Sequence, residues 1–103
     1  MIRGTTPTLV FNLPFNTKII KSLYITIRDY NLNKSTILEK TLENCEVTET
    51  SVSVTLTQEE TLKFSNGSKI DVQLRLTTND NVALASQIFT TSMDKILKDG
   101  VIE

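Results

Sequence analysis

Apolar and polar residues alternate along much of this chain, most cleanly in Lys69–Thr77, where Ile70, Val72, Leu74 and Leu76 interleave with Asp71, Gln73 and Arg75. Successive side chains on a strand point to opposite faces. The segment therefore predicts an antiparallel strand with one face in a core and the other in water. The same period recurs in Thr8–Leu13, with Leu9, Phe11 and Leu13 on one face. It recurs again in Ser22–Asp29, with Leu23, Ile25 and Ile27 inward and Tyr24, Thr26 and Arg28 outward. Pro7 precedes the first of these strands and Pro14 closes it, each where a missing N–H is tolerated. Thr36–Leu42 is weaker, because Ile37 and Leu38 adjoin and blur the register. Cys45–Thr48 and Val52–Leu56 predict a hairpin around Glu49-Thr50-Ser51. Val82–Thr91 predicts a last strand whose small centre, Ala83-Leu84-Ala85-Ser86, suits a bulge or a close approach between sheets.

Elsewhere the period breaks. Thr17 is placed to cap one helical turn that tucks Ile19 or Ile20 under the sheet. Thr57-Gln58-Glu59-Glu60 fits a capping box, in which the Thr57 hydroxyl accepts from the Glu60 N–H while the Glu60 carboxylate reaches back. A short helix near 57–62 would then bring Leu62 or Phe64 over the end of the core. Asp29–Ser35, Asn66-Gly67 and Asn79-Asp80-Asn81 read as turns. Ser92–Gly100 takes helical character, with Asp94 near its start, Lys95 and Lys98 further on and Gly100 at the left-handed position beyond it. About seven short strands, with turn signals every 8–12 residues or so, predict an all-β antiparallel two-sheet sandwich. The lack of long helical crossovers excludes a parallel α/β fold, and a small barrel is the main competitor. Residues 1–103 read as one domain, with a C-terminal helix over 92–100. Residues 1–6 form an arm that is either disordered or laid on a neighbouring subunit.

Composition narrows the function classes. The net charge of −1 comes from 11 basic and 12 acidic residues that are interspersed. No basic stripe is available to neutralise phosphates, so no nucleic-acid partner is expected. No polybasic or strongly amphipathic stretch points to a membrane surface. The start lacks the apolar run of a secretory signal and no segment is long enough to span a bilayer, which predicts a chain made in the cytoplasm and not exported by the general pathway. There is no histidine, so the usual acid–base side chain and the commonest zinc ligand are missing. With no tryptophan and 6% aromatic residues, a stacking platform for sugars or bases is poorly supplied. Gly4, Gly67 and Gly100 are too far apart to cradle a phosphate. No catalytic, cofactor or metal residues are assigned, and a small-molecule ligand is not expected.

The remaining candidates have ordinary structural readings. Glu59-Glu60 could suggest paired carboxylates, but adjacent residues on a helical turn diverge, and the glycosidase arrangement needs two carboxyls across a cleft, roughly 5–10 Å apart. Asn79-Asp80-Asn81 offers oxygen ligands without the spaced array calcium needs. Arg75 lies on an outward face where a cross-strand pair with an acid is expected. Arg3 has no obvious core role. Cys45 reads as a small hydrophobe on a half-buried strand. Lys18, Lys21, Lys63 and Lys69 flank apolar stretches as guards against edge-to-edge pairing.

Three blocks of this chain, M-I-R-G-T-T-P-T-L-V-F-N-L-P-F, V-S-V-T-L-T-Q-E-E-T-L-K-F and V-A-L-A-S-Q-I-F-T-T-S-M-D-K-I-L-K-D-G-V-I, resemble a family of small phage and prophage proteins of Gram-positive bacteria. Leu32–Thr41 departs most from that pattern. The resemblance implies an immunoglobulin-like sandwich, similar to the N-terminal domain of phage baseplate upper proteins. It further implies a non-enzymatic structural or assembly role in a tail, baseplate or capsid fibre, present in the virion or assisting its assembly. The expected partners are copies of the chain itself and other phage structural proteins. A carbohydrate- or cell-surface-binding module is the competing class.

Overall fold

The computed structural model describes residues 1–29, 37–65 and 67–103. In chain order its strands are β1 (Thr8–Asn12), β2 (Ile20–Asp29), β3 (Ile37–Thr41), β4 (Glu46–Val47), β5 (Ser51–Thr55), β6 (Lys69–Thr78), β7 (Ala83–Ala85) and β8 (Phe89–Ser92), with one short helix, α1 (Gln58–Leu62), after β5. They form two antiparallel sheets, ordered β1-β5-β4 and β3-β2-β6-β7, with β8 continuing along the same side of β6. This is the all-β sandwich that the alternation predicts.

The core lies where the inward faces meet. Leu23, Ile25 and Ile27 of β2, Ile70, Val72, Leu74 and Leu76 of β6, and Val52 and Val54 of β5 are all buried. Each fully buried side chain of this size contributes about 1.5–3 kcal/mol relative to exposure. Leu56, Phe64 and Met93 close one end of the core. The capping box forms as expected: Glu60 N–H donates to Thr57 Oγ1 at 3.1 Å and Thr57 N–H donates to Glu60 Oε1 at 2.9 Å. The helix it starts delivers Phe64, which is 1% exposed. A 3₁₀ turn, Thr17–Ile19, also forms, but Asn16 caps it and Ile20 rather than Ile19 goes under.

The expected C-terminal helix over 92–100 is absent. Ser92 ends β8, the Met93 N–H donates to Ser68 O at 2.8 Å, and Asp94 bridges Ile2 in parallel. These extended pairings hold the main chain that the helix would need, and they bury Met93 completely. The segment beyond Asp94 is too short to nucleate a helix by itself. Gly100 still takes the left-handed conformation, with φ +86. The hairpin at Asn79–Asn81 forms, with Asn81 at φ 63. The turn expected over Asp29–Ser35 falls mainly on residues 30–36, and Asn66 of the Asn66-Gly67 pair likewise lies outside the described residues.

Candidate functional site

The arm lies on its own domain: Met1–Arg3 run along the outer side of Ser92–Asp94, and Gly4 and Thr5 meet Thr61 of α1. The Met1 nitrogen donates to Ser92 O at 2.9 Å, the Asp94 N–H to Met1 O at 2.7 Å and the Arg3 N–H to Asp94 O at 3.0 Å. Side chains lock this short parallel pairing. Arg3 Nε and Nη2 donate to the carbonyls of Phe64 and Leu62 at 2.8 and 2.9 Å, and its Nη1 pairs with Asp99 at 2.7 Å. A cation is thereby set on carbonyls left over at the end of α1. The fully buried Thr61 hydroxyl accepts from the Gly4 N–H and lies 3.0 Å from Thr5 O. Gly4 has φ +76, and a Cβ there would stand 3.0 Å from Ile96 Cδ1. Only glycine fits this turn without strain.

Above the arm the edge is open. The Thr78 N–H donates to Val82 O at 2.9 Å and the Ser86 N–H donates to Leu74 O at 2.8 Å. Even-numbered residues here thus turn their main chain toward β6, and the N–H and C=O of Ala83 and Ala85 point outward. Among the described residues no strand pairs with that outer side. The pairing then slips: Ala85 stands opposite Arg75, but Phe89 stands opposite Val72. One extra residue is inserted over Gln87-Ile88, a bulge of the kind the small residues predict, placed just beyond them. Ser86 stabilises it, accepting from the Leu74 N–H through Oγ and donating that hydroxyl to Gln87 O.

The bulge sets Phe89 on the same face as the buried Val72, and Leu84 shares a face with Leu76. Both nonetheless remain accessible. Val82, Leu84, Ile88 and Phe89 are 50, 41, 60 and 64% exposed. The smaller sheet has three strands, β1 is one of its two edges, and there Leu9 and Phe11 are only half-buried. From Asn81 to Met93 the sequence has no charged residue. An uncharged, apolar edge is what sheet proteins usually avoid unless another chain covers it.

On the outer face of the same sheet, Ser22, Tyr24, Thr26, Glu39, Arg75 and Thr77 border a shallow depression of about 460 Å³ that runs up to Ala83 and Leu84. Tyr24 is its single aromatic lining residue, a thin provision for stacking a sugar ring.

The other candidates separate. Glu59 is exposed while Glu60, besides capping α1, forms an ion pair with Lys40 of β3 in which both side chains are largely covered. Burial pushes the Glu60 carboxyl up, but the bonds from Lys40 and the Thr57 N–H outweigh it and hold the pKa below its ordinary value. Asn79 and Asn81 are tied to the 3₁₀ turn and to the start of β2, Asn79 Nδ2 donating to Lys18 O and Lys21 Nζ to Asn81 Oδ1. Among the described residues no group of three or more Cys, Asp or Glu is placed to hold a metal ion. Arg75 stands between Tyr24 and Ala85, not opposite an acid. Cys45 lies between a 3₁₀ turn and β4, donating to Thr41 O at 3.3 Å, with burial pushing its thiol pKa up, which disfavours the thiolate. Lys21 and Lys69 belong to the inner strands β2 and β6, Lys18 and Lys63 to turns. None of the four guards β1, β7 or β8.

No protein-family model and no curated protein matches this chain. Among the described residues no helix is long and apolar enough to cross a membrane.

Proposed function

We propose that this chain is a non-enzymatic structural or assembly accessory protein of a phage or prophage particle, working through protein–protein contacts. The contact role rests on one observation, the open β7–β8 edge with its outward main-chain groups and exposed Val82, Leu84, Ile88 and Phe89. An edge of this kind takes an added strand, main-chain bonds giving affinity and flanking apolar contacts giving register. The placement in a tail, baseplate or capsid fibre rests on the resemblance of the three sequence blocks to small phage proteins. We further read the sandwich as immunoglobulin-like. In that convention β1-β5-β4 correspond to strands B-E-D and β3-β2-β6 to C′-C-F, with β7 and β8 as an interrupted strand G. The role is tested by mass spectrometry of purified particles induced from the source strain. Peptides of this chain are expected at a fixed ratio to the major tail or capsid proteins. Their complete absence, from finished particles and assembly intermediates alike, refutes it.

A further inference from the structure

We infer that the partner at the open edge is a second copy of this chain, β7 pairing antiparallel with β7 about a two-fold axis at Leu84. The inference rests on the reading of this edge as a contact site and adds to it the identity of the occupant. The straight part of the edge has natural limits. The turn at Asn81, with φ 63, ends it on one side and the extra residue at Gln87-Ile88 ends it on the other. Between them lie Val82 to Ser86, and Leu84 is the midpoint. A strand laid antiparallel on its own copy uses the whole of that stretch only when the axis passes through its middle.

The main-chain geometry agrees. Ala83 and Ala85 carry the outward N–H and C=O groups, so a two-fold at Leu84 sets Ala83 of one copy beside Ala85 of the other, each couple exchanging both bonds. Leu84 then meets its own mate at a position without main-chain bonds, where opposing Cα atoms come within about 4.5 Å and side chains touch most closely. Two half-exposed leucines cover each other. Charge offers no obstacle, because Asn81–Met93 carries none. On the outer face the row across the junction would read Arg75, Ala85, then the second copy's Ala83 and Thr77, so the two Arg75 guanidiniums fall in different rows and are kept apart by alanines. A closed, isologous pairing of this kind is the commonest form of homo-oligomer.

Sedimentation velocity over a concentration series tests the pairing. The wild-type chain is expected to dimerise reversibly. Leu84→Lys and Leu84→Glu each set like charges against each other across the axis, and each is expected to weaken self-association by about 100-fold. An equimolar mixture of the two is expected to restore a dimer. Ala85→Pro removes an N–H that β6 does not use, so it weakens the dimer while circular dichroism stays that of the wild type. This variant decides the matter even if a charged one folds poorly. A wild-type chain that stays monomeric throughout, a dimer indifferent to Leu84 and Ala85, or a charge-swapped mixture that stays monomeric would overturn the inference. A monomer that is nevertheless present in purified particles overturns this pairing alone; a Leu84-dependent dimer missing from all particles overturns the phage role alone.

Discussion

Met93 and Phe89 stand on the same edge of the larger sheet, four residues apart in sequence and turned toward the same core, yet Met93 is fully buried and Phe89 is 64% exposed. The difference lies in what covers each. Over Met93 the edge is closed by the arm Met1–Arg3, held in place by α1 through Arg3 and Thr61. Over Phe89 no pairing among the described residues closes the edge. Alternation in a strand says which side a residue faces; it does not say whether anything lies on that side.

The sharpest way to break the contrast is to truncate both residues. Met93→Ala is expected to cost about 2–5 kcal/mol, because it removes packed side chain and leaves a cavity. Phe89→Ala should stay within about 0.5 kcal/mol in the monomer, as for other exposed positions. Urea unfolding measures both, and equal losses would mean that the upper edge is covered after all.

A smaller effect tests the closed half directly. Arg3→Ala leaves the Leu62 and Phe64 carbonyls without their guanidinium donors and is expected to cost about 1–3 kcal/mol. Amide exchange at Arg3 and Asp94 should accelerate by more than the global loss of stability, since the arm would open locally. Unchanged exchange there would show that main-chain pairing holds the arm without Arg3.

The smallest effect concerns α1 itself. The folded-state pKa of Glu60 lies below its ordinary value of 4.5, so its pairing with Lys40 stabilises fully above that pH and is lost as pH falls through the folded value. Glu60→Gln is expected to cost roughly 0.5–1 kcal/mol near neutrality. Its stability should converge on that of the wild type in acid. A difference that persists unchanged at low pH would point to lost packing, not lost charge.

What is legible in the chain is local. The four inward residues of β6 and the Thr57–Glu60 box declare themselves within a few positions, because pleat and cap are set by neighbouring residues. The C-terminal segment misleads for the opposite reason. Asp94, Lys95 and Lys98 are arranged as a helix would like, but Met93 and Asp94 are claimed by Ser68, Met1 and Arg3, partners far away in sequence. Arg3 is opaque in the same way, since the carbonyls it meets belong to residues 62 and 64. The lysines mislead because flanking apolar residues do not reveal which strand is outermost: Lys21 and Lys69 sit on interior strands. The open edge itself has one visible sign, the long uncharged run from Asn81 to Met93.

The arm beside Asp94 also gives the molecule a mechanical character. It runs parallel to the strand it clasps, so a force drawing Met1 and the chain beyond Asp94 apart along that axis strains the Met1–Ser92, Met1–Asp94 and Arg3–Asp94 bonds in shear, all at once. Bonds loaded together resist far more than bonds peeled in succession, and the guanidinium of Arg3, gripping Leu62 and Phe64, acts as a latch behind them. A tug on this end of the protein meets a clasp, while the other end of the same edge stays unfastened.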